Sequence, residues 1–327
     1  MSTHADDLRR HCRMIVHWMT EGIIIPFFGA GVNLAGRSAG TPFTPKENLP
    51  RASELSLEIA HRFGYPWDDR ENLLRVSWYA ARNGGRELYK FLHDLFSASY
   101  QTNEVHKFFA ELPSKLAAKG YRHCRQLIVT TNYDQMLERA FDDAGEPYDV
   151  LSYVAWSDEE YEKGKFRYTP HRGKPTPVLT PATLDLPIEE NVLERNIILK
   201  IHGAVDGSNQ GRSSFVITED DYIDYLARMN PASQVPALLM EKMKDSSFLF
   251  LGYSLGDWNL RVFLHSLWSN QPRNDTSWAV MNETKDWDEE YWRRHRVDLW
   301  KLSLSDYVEV LREELDALPV VGGAVTI

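Results

Sequence analysis

The chain has 327 residues with 47 acidic and 37 basic side chains, a formal net charge of −10. That balance counts against a general nucleic-acid-binding surface, which depends on phosphate neutralisation. A hydrophobic fraction of 43% and a charged fraction of 26% are ordinary globular values and exclude a fibrous or disordered chain.

Taken in order, residues 1–10 are polar and charged and lack the apolar core of a signal peptide. Largely apolar runs then recur at 23–28, 127–131, 197–201, 248–251, 277–281 and 297–302. Runs that do not alternate apolar and polar predict strands buried on both faces of a sheet. All fall far short of the ~20 residues needed to span a bilayer. Helical patterns occupy 55–63, 87–96, 102–119, 134–144, 219–229, 232–244 and 260–269. Strands alternating with helices predict an α/β fold, a Rossmann-like parallel sheet with helices on both faces. Two stretches interrupt the alternation: a helical module over 38–120, inserted after the first strand, and a proline-punctuated, irregular or β-rich insertion over 146–195. Cys12 and Cys124 are the two cysteines. They exclude a four-cysteine zinc ribbon and fit a reducing cytoplasm. The histidines show no metal-ligand spacing, so no metal is expected.

Polar and glycine residues follow each apolar run, and ligands of open parallel sheets collect at the carboxyl ends of strands. Gly29-Ala30-Gly31 follows the first run; it is either a tight turn or a backbone cradle for a pyrophosphate. Thr130-Thr131-Asn132-Tyr133-Asp134 follows the second, where Asn132 and Asp134 either cap the next helix or orient a water, a ribose hydroxyl and a substrate amide. His202 stands before Gly203, where an imidazole of ordinary pKa near 6.5 can accept a proton at neutral pH. Gly252-Tyr253-Ser254 and Asn282 end the next two runs; each could meet a ribose, a phosphate or only a turn.

In this order the motifs GAG, TTNYD, KIHG and FLFLGYSLGD, then a strand ending in Asn282, resemble the sirtuin (Sir2) superfamily. They are most similar to its bacterial antiphage-defence branch, and the likeness runs from about residue 22 to 282. The resemblance implies a single catalytic domain over 1–327 that takes NAD+ as substrate. It implies that Gly29, Ala30 and Gly31 hold the pyrophosphate, Asn132 positions water or ribose, and Asp134 reads the nicotinamide amide. His202 would be the general base, while Gly252, Ser254 and Asn282 would face phosphate, ribose and adenosine. Asn33 stands where the family usually has serine, and Arg37 is expected to supply positive charge near the phosphates. The family's deacetylases frame their acyl-lysine cleft with a four-cysteine zinc ribbon, which this sequence cannot build.

The expected activity is therefore hydrolysis of NAD+ to nicotinamide and ADP-ribose in antiphage defence by cofactor depletion. The alternatives are NAD-dependent protein deacylation, and a module that binds NAD or ADP-ribose without turnover. Many relatives carry a fused sensor, whereas this chain ends soon after the catalytic motifs. Sensing is therefore expected from self-assembly into a homo-oligomer or from a partner, a HerA-type ATPase in preference to a short Argonaute. Neither membrane association nor direct nucleic-acid binding is expected.

Overall fold

A computed structural model of the chain describes residues 4–38, 40–157, 162–173, 195–228, 235–253, 261, 263–265, 267, 276–282 and 286–321. It opens with helix α1 (His4–Thr20) and strand β1 (Ile24–Phe28), followed by a 3-10 turn (Ala30–Leu34). Helices α2 (Ala52–Phe63), α3 (Leu73–Phe96) and α4 (Glu104–Ala118) precede β2 (Leu127–Thr130) and α5 (Met136–Ala144). Next come β3 (Tyr148–Tyr153), β4 (Phe166–Thr169), β5 (Asn196–Lys200) and a short hairpin, β6 (Gly203–Ala204) with β7 (Ser214–Phe215). The chain continues through α6 (Glu219–Arg228), α7 (Ala237–Lys244), β8 (Ser247–Leu251) and β9 (Ser277–Met281). It then forms α8 (Asp286–Arg294), β10 (Val297–Lys301) and α9 (Leu304–Asp316).

Eight strands form one sheet in the order β10-β9-β8-β1-β2-β5-β3-β4, parallel throughout except for the antiparallel β3–β4 pair. The absence of alternation in the strand sequences has a direct cause. Ile25, Phe27, Val129, Leu199, Phe248 and Phe250 pack on one face beneath Tyr225 of α6 and Leu239 and Met243 of α7. Their neighbours in sequence, Ile24, Phe28, Ile128, Ile198, Leu249 and Leu251, pack on the other beneath α1, α4, α5 and α9. Successive side chains of a strand point to opposite faces, so a sheet covered on both sides requires both sets to be apolar. A third core joins Ile59 of α2 and Val76, Leu88 and Leu92 of α3 to Val205, Phe215 and Ile217.

The expected parallel α/β sheet is present. Within 146–195, β3 and β4 join the main sheet, while residues 174–194 lie outside the described residues. Helices α1 and α9 were not expected from the sequence, and most of the helix expected over 260–269 lies outside the described residues. Among the described residues no helix is long and apolar enough to cross a membrane.

The strand order positions the site. From β1 the chain passes to β2, out to β3 and the edge strand β4, and back to β5 between β2 and β3, and later places β8 on the other side of β1. The carboxyl ends of β1 and β8 thus flank a topological switch point, where such sheets leave a crevice.

Candidate functional site at the switch point

The turns after β1 and β8 are locked together through their backbones. The Gly29 amide donates to the Leu251 carbonyl and the Gly31 amide to the Gly252 carbonyl, each at 2.9 Å. A Cβ on Gly31 would lie 2.8 Å from Gly252 Cα, and one on Gly252 would fall onto the Val32 nitrogen. Gly252 also has φ +69°, a left-handed conformation that side chains disfavour. Ala30, between the two glycines, is exposed at the tip of the turn.

The loop after β2 is bonded to the same turn. Asn132 Nδ2 donates to the Gly29 carbonyl at 3.1 Å, which fixes the direction of its half-buried carboxamide. Asn33 Nδ2 donates to Asp134 Oδ2 at 2.7 Å, and Asp134 Oδ1 accepts from the Met136 amide at 2.9 Å. Asp134 therefore joins the first amide of α5 to the β1 turn. Thr131 Oγ1 and the Tyr253 hydroxyl are 2.9 Å apart, linking the β2 and β8 loops. Gly29, Gly31, Asn33, Asn132, Asp134 and Gly252 thus form one bonded constellation.

His202 lies in the turn that follows β5 and is buried at 2% exposure. Its ring stands edge-to-face with Tyr222, at 5.7 Å and 88°, and with Tyr225, at 5.2 Å and 86°. Both tyrosines belong to α6, so this helix covers the imidazole. Asn282 is exposed one strand beyond β8, and Ser254 lies outside the described residues.

Arg37 takes a different part from the one expected. Its five donors reach the Glu54 carboxylate, at 2.7 and 2.9 Å, the Thr41 carbonyl, at 2.7 and 3.2 Å, and the Leu49 carbonyl, at 3.4 Å. A guanidinium has five N–H bonds and all are engaged, so Arg37 ties the 37–54 segment together and holds no donor for a phosphate. Its partner Glu54 has a carboxyl held below the usual range by Arg37 and the Arg51 amide, against the opposing effect of burial.

Sequence reasoning assigned no role to the charged pair beneath the rim. Lys200, 1% exposed at the end of β5, lies 2.5 Å from Glu138 Oε1 of α5 and donates to the Asp134 backbone carbonyl. Burial raises the Glu138 carboxyl and the Lys200 charge opposes that rise. A lysine inside an apolar strand was the available signal, because buried lysines are paired. Asn103, which caps α4 and donates to the Val32 carbonyl at 2.7 Å, also went unassigned.

A parallel sheet whose glycine-lined switch point is ringed by polar strand ends defines a Rossmann-like domain able to receive a nucleotide. The model of the SIR2-like domain matches residues 126–300, more than half of the chain, and the chain belongs to that family. It is 25% identical over 252 residues to the NAD(+) hydrolase ThsA of Bacillus cereus (strain MSX-D12), covering 76% of this chain and 40% of that protein. It is likewise 25% identical over 232 residues to the NAD(+) hydrolase ThsA of Cytobacillus dafuensis, covering 70% and 36%. Identity to Defense-associated sirtuin 2 of Bacillus subtilis is 23% over 185 residues, covering 57% and 14%. The chain therefore spans two fifths or less of each of these relatives. Among the described residues, no group of three or more His, Cys, Asp or Glu side chains could hold a metal ion.

Proposed function

We propose that this chain hydrolyses the N-glycosidic bond of NAD+, releasing nicotinamide and ADP-ribose, and that it serves antiphage defence by depleting the cofactor. The observation that carries the reading is the bonded set of Gly29, Asn132 and Asp134 at the β1/β8 switch point. The relatives named as NAD(+) hydrolases support it.

In this reading the backbone around Ala30 and Gly252 receives the pyrophosphate, with Ser254 and Asn282 toward the adenosine half. Asn132 aims a water at the anomeric carbon. The water oxygen bonds to that carbon as the glycosidic electron pair leaves with neutral nicotinamide, which needs no protonation, and His202 takes the water's proton. Asp134, whose side-chain oxygens are bonded to Asn33 and the Met136 amide, sets the position of Asn33. The test is nicotinamide release measured alongside NAD+ affinity. His202→Ala is expected to abolish release while changing NAD+ affinity by less than about threefold. Retained turnover would remove His202 from the mechanism.

Burial of His202 under Tyr222 and Tyr225 favours a second element of the proposal, that α6 must shift before turnover begins. Self-assembly, or a partner such as a HerA-type ATPase, would supply that shift, and a short Argonaute is the less favoured partner. Nicotinamide release by the isolated chain at the rate of the assembled one would refute the need for a trigger. NAD+ binding without release in every assembled state would instead favour a sensing module.

A further inference from the structure

A cleft of about 500 Å³ opens between α5, the β3–β4 edge and the loop after β6. Its volume is that of an ordinary small-molecule site. Four guanidinium groups line it, from Arg139, Arg167, Arg172 and Arg212, against the carboxylates of Glu138 and Asp206. This is a local reversal of sign in a chain whose net charge is −10.

The carboxylates do not neutralise the cleft. Glu138 is held by buried Lys200, which is not itself part of the lining, and Asp206 is held by Arg212 Nε at 2.7 Å. Arg167 is paired at 3.2 Å with Glu162, outside the lining. Among the described residues neither Arg139 nor Arg172 has a carboxylate partner. Arg139 donates from Nη2 to the Ser97 carbonyl at 3.2 Å, while its Nη1 is buried with no hydrogen-bond partner. Arg172 is exposed at φ +55°, with no hydrogen bond or ion pair to the described residues. A buried guanidinium N–H left unpaired is unfavourable, and oxyanions bearing several acceptor oxygens are its best partners.

We propose that this cleft binds a phosphate-bearing small molecule, either a pyrophosphate group or a nucleotide that carries one, with Arg139 and Arg172 as its principal contacts. Its lining includes none of Gly29, Asn132, Asp134 and His202, but it adjoins the NAD+ rim: Gln135 follows Asp134, Ala204 and Val205 follow His202, and the Lys200 that holds Glu138 also donates to the Asp134 carbonyl.

The test is calorimetric titration of the full chain with sodium pyrophosphate and with ADP-ribose, on wild type and on R139Q/R172Q, R172Q, N132A and R86Q. Arg86 is exposed on α3, outside the cleft lining, and serves as the control for loss of one positive charge. Pyrophosphate affinity is expected to fall about tenfold or more in R139Q/R172Q and about threefold in R172Q, with N132A and R86Q unchanged. If the double variant does not fold, the exposed-site R172Q variant decides alone. ADP-ribose binding at the cleft more tightly than pyrophosphate would assign a nucleotide, and equal affinity would assign the phosphate group itself. The proposal is overturned by no binding below ~10 mM, by equal loss in R86Q, or by loss in N132A with R139Q/R172Q unchanged. The last result would place the anion at the strand-end rim and would leave the NAD+ reading standing.

Discussion

At the scale of single residues, the side chains at the rim are held by one another as much as they are offered to a ligand. Asp134 is 5% exposed and shares its two oxygens between Asn33 and the α5 amide. Asp134→Ala should therefore cost about 2 kcal/mol through the lost bond to the Met136 amide and the orphaned Asn33 amide, read as a lower urea midpoint at unchanged slope. Two buried histidines contribute to the acid stability. Burial lowers His11, which bonds the Tyr307 hydroxyl at 2.9 Å, to about 4. Burial lowers His106 to about 4 as well, against the opposing charges of Asp134 and Glu104. Unfolded, both take up protons near pH 6.5, so between there and about pH 4 the unfolded state binds more protons. Their stabilising contribution is complete above about 6.5 and is lost as the pH falls, at up to about 1.4 kcal/mol per pH unit for each imidazole. Glu138 and Asp221, whose carboxyl groups burial raises, work in the opposite direction. Urea unfolding from about pH 7 to about 4.5 should show a falling midpoint, and His106→Gln should make the fall shallower.

The elements that build the site differ in how openly the sequence announces them. β1, β2, β5 and β8 are legible because apolar runs ending in glycine or polar residues describe a two-sided strand and its loop. The roles proposed for Asn132 and His202 rest on motif order, which composition alone does not contain. Helix α1 carries Cys12, Ile15, Val16 and Met19 on one buried stripe, a helical spacing present in the sequence but interleaved with eight charged or histidine residues. Arg37 illustrates the opposite limit. Its charge is visible in the sequence, but its engagement by Glu54 depends on a loop whose path no local pattern fixes. The Lys200–Glu138 pair likewise joins β5 to α5 across 62 residues of chain. Lys200→Met should cost about 3–5 kcal/mol by stranding a buried carboxylate, and Lys200→Met with Glu138→Leu should recover most of that loss. A double-mutant cycle on chemical denaturation measures the coupling, and additive losses would show that the pair does not act as a unit.

For the molecule as a whole, two cores share the sheet, and the third belongs to α2 and α3 and meets the rest through few contacts. Phe215 is central to that junction. It packs with Tyr133 at 5.3 Å, Phe96 at 6.0 Å and Tyr89 at 6.5 Å, bridging the β2 loop and α3. Phe215→Ala should destabilise the chain by about 3–5 kcal/mol. Amide hydrogen exchange should rise first in 52–96 and only later in the central strands, the order expected of separate cooperative units. Simultaneous loss of protection in both would mean that the three cores unfold as one. The sequence shows this α2–α3 region as an interruption of strand–helix alternation, but its attachment through β7 comes from residues more than a hundred positions away.

The interlocked turns after β1 and β8 have a mechanical consequence. Because Gly29 and Gly31 are hydrogen-bonded to Leu251 and Gly252 with no side chain between them, the two loops can neither slide nor separate without breaking backbone hydrogen bonds. A molecule pressing on one wall of the crevice transmits its push to the opposite wall. The floor therefore behaves as a rigid anvil, and whatever opens or closes over the crevice must come from above it.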